Sequence, residues 1–278
     1  MASQPSPTRA SQEASAVIRR SRVPMPFKRD HDVSSMYFHR VRSDIEDIMT
    51  DPPPLIYIAP EENDITQINA LVVGPSDTPY EGGFLRFRIV CPNEYPIEPP
   101  RVCFLTTDAG RVQLHPNLYP SGGVSLSILG TYEGPHWSPA QSIGSLLVSI
   151  QSLLTDDPFY NGPYVAKGTH QEAASNYRVF VRHEVVRVAV CDEVESCLED
   201  NSQQPAVLRE KVLELFPEFY DRYEEAVRSH LHLTGTRMQD PISFAHGVYQ
   251  HDALLSRLRD LKAKVQKRSE SVLLKESQ

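Results

Sequence analysis

Cysteine is scarce in this chain. Four residues (Cys91, Cys103, Cys191, Cys197) among 278 are too few and too dispersed for a disulfide framework or a zinc site. A reducing compartment, cytoplasmic and also nuclear, is expected. No apolar run approaches the roughly 18 residues that a membrane-spanning helix needs, which excludes an integral membrane protein. The opening stretch MASQPSPTRASQEASAVIRRSRVP lacks the apolar centre of a secretory signal. Basic excess is missing as well: a net charge of -8 argues against general nucleic-acid binding. Nor is there a phosphate-cradling glycine loop, because Gly82-Gly83 and Gly122-Gly123 are turn glycines.

What is present supports a folded core. The chain is 40% hydrophobic and 23% charged, enough for one large domain or two modest ones. Charge is uneven. Residues 1–30 carry Arg9, Arg19, Arg20, Arg22, Lys28 and Arg29 against Glu13 and Asp30, so +4, which leaves -12 for the remainder. Residues 1–31, rich in Ser, Pro, Ala and Arg without apolar period, read as a disordered basic tail. Its Arg19-Arg20-Ser21-Arg22 cluster is a solvated tail or a docking or import signal.

Order is expected from about Ser34. Phe38, Val41, Ile45, Ile48 and Met49 recur at helical spacing, and Pro52-Pro53-Pro54 ends that helix. Strand-like runs follow at Leu55–Ala59, Ile65–Val73, Phe84–Val90 and Arg101–Leu105, separated by turn residues, so an antiparallel meander is expected. Residues 106–138 read as a long irregular stretch, which in a compact domain is usually functional. The next helix is expected to open with Ser138 as its cap and Pro139 in its first turn, burying Ile143, Leu146, Leu147, Ile150, Leu153 and Leu154. Further helices are expected over 172–200, 205–233 and 249–267. The domain reading is a core at 32–168, a helical extension at 169–268 and a flexible tail at 269–278.

Several motifs then fall in series. They are Gly74-Pro75-Ser76-Asp77-Thr78-Pro79-Tyr80-Glu81-Gly82-Gly83, Tyr95-Pro96, Pro99-Pro100-Arg101-Val102, His115-Pro116-Asn117 and Trp137-Ser138-Pro139-Ala140-Gln141-Ser142. In this order and spacing they resemble the ubiquitin-conjugating (UBC) enzymes across roughly residues 34–165. Ser127-Ile128-Leu129-Gly130-Thr131, Arg182-His183-Glu184, Arg187 to Asp192 and Met238-Gln239-Asp240-Pro241 are most similar to that family's large Z-type class. The resemblance implies an α+β UBC fold, a four-stranded antiparallel meander flanked by helices, with a helical C-terminal extension. Pro79, Tyr80 and Trp137 are then residues that chiefly shape the fold.

The resemblance also implies a chemistry of two acyl transfers. A cysteine takes the ubiquitin C-terminus from an activating enzyme as a thioester, and a substrate lysine then attacks it, usually guided by a ubiquitin ligase. Asn117 matches the family's oxyanion donor, and His115 its loop-structuring histidine. Tyr160 and Asn161 are candidates for the polar gate over the incoming lysine, with plain turn residues as the alternative. Implied partners are ubiquitin or a ubiquitin-like modifier, an activating enzyme of the alternative class at the first helix and the Pro75–Gly82 loop, and ligases at the first helix, Tyr95-Pro96 and the loop before the second helix. Neither nucleic acid nor membrane is an expected partner. ATP is spent by the activating enzyme, so no cofactor or metal is expected here.

One position departs from the pattern. The family's nucleophile falls eight residues after the asparagine, and here that residue is Ser125. A cysteine thiol, with a pKa of about 8.5, supplies thiolate at neutral pH; a serine hydroxyl needs an adjacent base. No His–Asp pairing stands in this loop, whose carboxylates are Asp108 and Glu133. None of the four cysteines is expected to substitute. Three explanations stay open: an engineered replacement, a natural loss of the thiol with the surface retained, or a serine helped by a partner. The second is favoured, since the chain carries no tag or fusion scar. The expectation is a UBC-like protein unable to carry a normal thioester; the alternative is an active transferase.

Overall fold

A computed structural model describes residues 35–162, 165–199, 201–244 and 246–276. The expected basic tail at 1–31 lies outside them. Helix α1 (Ser35–Thr50) leads into strands β1 (Ile56–Glu61), β2 (Asp64–Val73), β3 (Phe84–Val90) and β4 (Arg101–Phe104), which pair antiparallel in chain order. This is the expected meander, and its central register sets Val72 opposite Leu85 and Ala70 opposite Phe87. Alternation in β3 buries Leu85, Phe87 and Ile89 and leaves Arg88 outside.

In α1 the buried stripe is Tyr37, Val41, Ile45 and Ile48, whereas Phe38 and Met49 are exposed. Position 37, whose hydroxyl donates to the Cys91 carbonyl, takes the inward place that the sequence reading gave to Phe38. Asp44 on the same face is almost fully buried. It accepts from Arg40 Nε at 2.8 Å, from the Tyr95 hydroxyl and from the Ile143 backbone N–H at 3.0 Å. A buried carboxylate needs that many donors.

The Asp44 contact also explains where the next helix starts. Helix α2 spans Ile143–Gln151, and its cap, Ser142, stands four residues later than the Ser138 cap expected from sequence. Ser142 and Ser145 form a reciprocal capping box at its start, and Asp44 satisfies the N–H of Ile143. Ser138 instead forms a turn with Gln141.

The extension is a group of helices laid on the sheet. Helix α3 (Gln171–Glu184) continues through a π-helical stretch (Val185–Asp192) into α4 (Glu193–Leu198). Six of the eight π residues are buried, more than one face of an α-helix presents, and the wider turn spreads them between sheet and helices. Gly83 permits the approach: a Cβ there would stand 2.6 Å from Val185 Cγ1. Helix α5 (Ala206–Ser229) holds Pro217 in its interior, a residue that removes one backbone bond; its stripe from Leu208 to Val227 keeps it helical. Helix α6 runs His251–Glu276, beyond the 267 expected and through most of the expected flexible tail, because no glycine or proline interrupts it. Ala59, Leu71, Val73 and Phe84 of the sheet share one apolar cluster with Val190, Phe216, Tyr223 and Leu258, so the core runs across the 168/169 division.

Four imidazoles meet where α3, the end of α5 and the start of α6 converge. His251 is buried with neither ring nitrogen hydrogen-bonded, and lies 4.9 Å from His183 and 5.7 Å from His230 between ring centroids. Burial, followed by the neighbouring His183, His230 and His232, pushes its pKa down to about 4. Because the unfolded chain binds the proton near pH 6.5, stability is complete above that value and falls as pH drops toward 4. The slope is about 1.4 kcal/mol per pH unit for each such imidazole. In urea melts between pH 7 and 4, His251→Phe is expected to lower this slope by about one proton without loss of stability at pH 7. An unchanged slope would show that His251 is not the group that titrates.

Candidate functional site

The long irregular stretch folds over the end of the sheet. Asp108, Ala109 and Gly110, at φ 49°, 52° and 84°, form a left-handed turn after β4. The chain then reaches His115, whose ring is fully buried. His115 Nδ1 accepts the backbone N–H of Asn117 at 3.0 Å, which fixes the neutral tautomer with the proton on Nε2, facing the Leu153 carbonyl. Burial pushes its pKa down to about 3. A neutral ring turned inward holds the loop; it is not placed to take a proton from Ser125.

Asn117 is buried, and its Nδ2 donates to the backbone carbonyl of Ser125 at 2.9 Å. Its own carbonyl accepts the Ser125 N–H at 2.8 Å. Both bonds fix the position of residue 125, while Asn117 Oδ1 has no partner. An amide Nδ2 carries two hydrogens, and the bond to the Ser125 carbonyl uses one of them. Ser125 itself is buried except for a small fraction, and its hydroxyl donates to the Tyr119 hydroxyl at 3.3 Å. Among the described residues no carboxylate or imidazole bonds to it. Tyr119 carries no motif of its own in the sequence. Its place in the tight turn closed by Tyr119 N–H to Gly123 and Gly122 N–H to Tyr119 is the signal that brings it over residue 125.

The two gate candidates part company. Asn161 Nδ2 donates to the Leu153 carbonyl at 3.1 Å and stands 3.0 Å from His115 Nε2, which puts it behind the ring; with the proton on Nε2 that approach is a packing contact and not a hydrogen bond. Tyr160 turns away and gives its hydroxyl to the Thr169 carbonyl at 2.8 Å. Tyr80 donates to the Leu114 carbonyl at 2.9 Å, one residue before His115. Trp137 bonds the Pro96 carbonyl through Nε1 at 2.7 Å. A groove of about 470 Å³ lined by His170, Glu172, Asn176 and Asp240 lies on the extension, and Ser125 does not line it.

Residues 40–186 match the ubiquitin-conjugating enzyme family. The chain belongs to that family. It is 45% identical over 229 residues to ubiquitin-conjugating enzyme E2 Z of Xenopus tropicalis, covering 82% of this chain and 72% of that protein. The human protein of the same name is 46% identical over 229 residues, covering 82% of this chain and 64% of its own length. A probable ubiquitin-conjugating enzyme protein 17 of Caenorhabditis elegans is 38% identical over 147 residues, 50% of this chain and 20% of that one. Family membership places the chain in the ubiquitin pathway, among activating enzymes, ubiquitin and ligases in general.

None of the four thiols of this family member occupies position 125. Cys91, Cys191 and Cys197 are buried, and burial pushes each pKa up to about 12. Cys103 is half-buried with a raised pKa, again from burial, and its sulfur lies directly beneath Gly122, closer to the loop than its sequence position suggests. A protonated thiol is a poor nucleophile. Among the described residues no cluster of three metal-ligating side chains occurs, and no helix is long and apolar enough to cross a membrane.

Gly122, at φ 87°, is a point of close approach in the loop: a Cβ there would stand 2.7 Å from Cys103 Sγ and 3.1 Å from the Phe104 carbonyl oxygen. Gly122→Ala therefore meets both a left-handed backbone penalty and a clash. It is expected to cost about 2–4 kcal/mol in chemical denaturation and to raise the alkylation rate of Cys103 in the folded protein. A loss below about 0.5 kcal/mol with unchanged Cys103 reactivity would show that the loop does not rest on this approach.

Proposed function

We propose that this family member engages the ubiquitin or ubiquitin-like modifier machinery without carrying a normal thioester, Ser125 standing at the nucleophile position. The observation that carries this reading is the surroundings of the Ser125 hydroxyl: its side-chain partner is the Tyr119 hydroxyl, and the nearby His115 is neutral, buried and turned toward Leu153. Serine attack on a thioester needs a base at the moment of reaction, and among the described residues no imidazole or carboxylate bonds to the Ser125 hydroxyl. An oxygen ester on Ser125 is in addition a weaker acyl donor to lysine than a thioester.

The binding surface supports retention of partners. The tip of the β2–β3 loop at Ser76 and Asp77 is exposed, and so are Phe38 on α1 and Ile97 beside Tyr95-Pro96. These are the places the family resemblance assigns to an activating enzyme of the alternative class and to ligases. The inner end of the same loop is taken up within the chain, since Gly82 O accepts from Tyr223 and Glu81 O from Arg182. Four free thiols fit the proposed location in the reducing cytoplasm and nucleus.

The deciding experiment incubates the full chain and its Ser125→Cys variant with an alternative-class activating enzyme, ATP and ubiquitin, resolving products with and without reductant and after mild base. The expected result is no adduct on the unsubstituted chain and a reductant-sensitive adduct on Ser125→Cys. A base-labile, reductant-resistant adduct on the unsubstituted chain that passes ubiquitin to lysine would make Ser125 a working nucleophile and this an active transferase.

A further inference from the structure

The first residues beyond the family match reach back into the loop that delivers the site. Arg187 lies on the π-helical stretch, just past residue 186 where the match ends. Its Nη2 donates to Asp108 Oδ2 at 2.9 Å and to Glu184 Oε2 at 2.6 Å, and its Nε donates to Glu184 as well. Glu184 is buried. It also accepts from His183 Nδ1 at 2.7 Å, while His183 Nε2 accepts the Gln250 N–H at 3.1 Å, immediately before α6. A continuous line of polar contacts therefore runs from the start of α6 to Asp108.

Asp108 is where that line meets strain. Asp108 and Ala109 both hold left-handed backbone, which is costly for residues with a Cβ and persists only where the surroundings impose it. Arg187 from the extension and Arg111 from the loop itself grip the Asp108 carboxylate. Burial would raise the pKa of that carboxylate, yet the bonds from Arg111 and Arg187 hold it below the usual range, so the clasp is charged at neutral pH. From this turn the chain runs Val112-Gln113-Leu114 straight into His115, and Gln113 Nε2 donates to the carbonyls of His115 and Pro116 at 3.2 Å each.

We propose that Arg187 is a positioning residue for the active-site loop: by clasping Asp108 from the extension it holds the left-handed turn that sets where His115, Asn117 and residue 125 stand. The extension is thereby part of the site's support. A second attachment points the same way. Tyr223 Oη donates to Gly82 O at 2.7 Å and Arg182 Nη1 to Glu81 O at 2.8 Å, beside the Tyr80 that bonds Leu114 O. Two segments flanking His115 are each tied down by extension side chains.

The test is a double-mutant cycle on the full chain, read by amide hydrogen exchange. Asp108→Asn removes the charge while keeping a residue that tolerates left-handed backbone, and Arg187→Gln removes the other half. Each single variant is expected to raise exchange over residues 107–118 by about tenfold, with α5 and α6 unchanged, and the double variant to add little beyond either. Arg187→Lys, which keeps the charge but loses the fork, should fall between. Unchanged exchange in that segment, an equal rise over the whole chain, or strictly additive effects would each overturn the proposal. A second readout rests on the proposed function: in the Ser125→Cys background, Asp108→Asn should slow discharge to lysine by about tenfold while the half-saturating concentration of activating enzyme stays the same. An equal loss in both, or none in discharge, counts against positioning. If Ser125→Cys accepts no ubiquitin, the functional reading fails, and the exchange cycle still decides the role of Arg187.

Discussion

A neutral imidazole at position 115 is the constraint on which the site depends. Its Nδ1 accepts the Asn117 N–H two residues on, and its other edge is enclosed by Leu153 and Asn161. That arrangement holds only while the ring is uncharged and dry, and burial keeps it so. From it follow the orientation of Asn117, the two bonds from Asn117 to residue 125, and the inward turn of Asn161. A histidine beside a reactive position invites a reading as acid or base. Here its hydrogen bonds run along the backbone and into the core, and its work is to shape the loop.

The sheet and the extension meet that loop from two sides. Asp44 ties α1, the Tyr95 segment and the start of α2 into one buried polar node. On the opposite flank the π-helical stretch presses Val185 against Gly83 and sends Arg187 to Asp108. Burial of aliphatic and aromatic surface between sheet and helices supplies the bulk of the stabilisation. The charged contacts add fixed geometry to it, at the start of α2 through Asp44 and at the turn after β4 through Asp108. An isolated exposed pair such as Arg268–Glu210 between α5 and α6 contributes little by comparison.

Much of this was legible in the chain. The four strands appeared as β-branched and aromatic runs between turn residues, and each lies within two residues of its expected bounds at either end. The inner faces of α2, α5 and α6 followed helical period. The misses have local causes. Ser138-Pro139 carries the generic signature of a helix start, yet the helix begins at Ile143, because a carboxylate distant in sequence, Asp44, completes the cap there. A π-helical stretch leaves no clear mark in hydrophobic periodicity, since Val185 to Cys191 is apolar at almost every position. Phe38 and Tyr37 are adjacent aromatic residues, and only the packing partner selects the inward one.

By itself the sequence determined the order of elements, the motif series that marks the ubiquitin-conjugating family, and the identity of residue 125. These depend on residue type and spacing, which are local properties. Tertiary structure alone decided which groups surround that residue. It turned His115 inward, sent Tyr160 away and Asn161 behind the histidine, brought Tyr119 to the Ser125 hydroxyl and Cys103 beneath Gly122, and joined Arg187 to Asp108 across 79 positions of chain. Such contacts arise when packing brings distant segments within hydrogen-bond reach, and their partners are unrelated in sequence spacing. The chemistry open to an atom is set by those neighbours, so the residue at 125 could be read directly, while its environment had to be built by the fold.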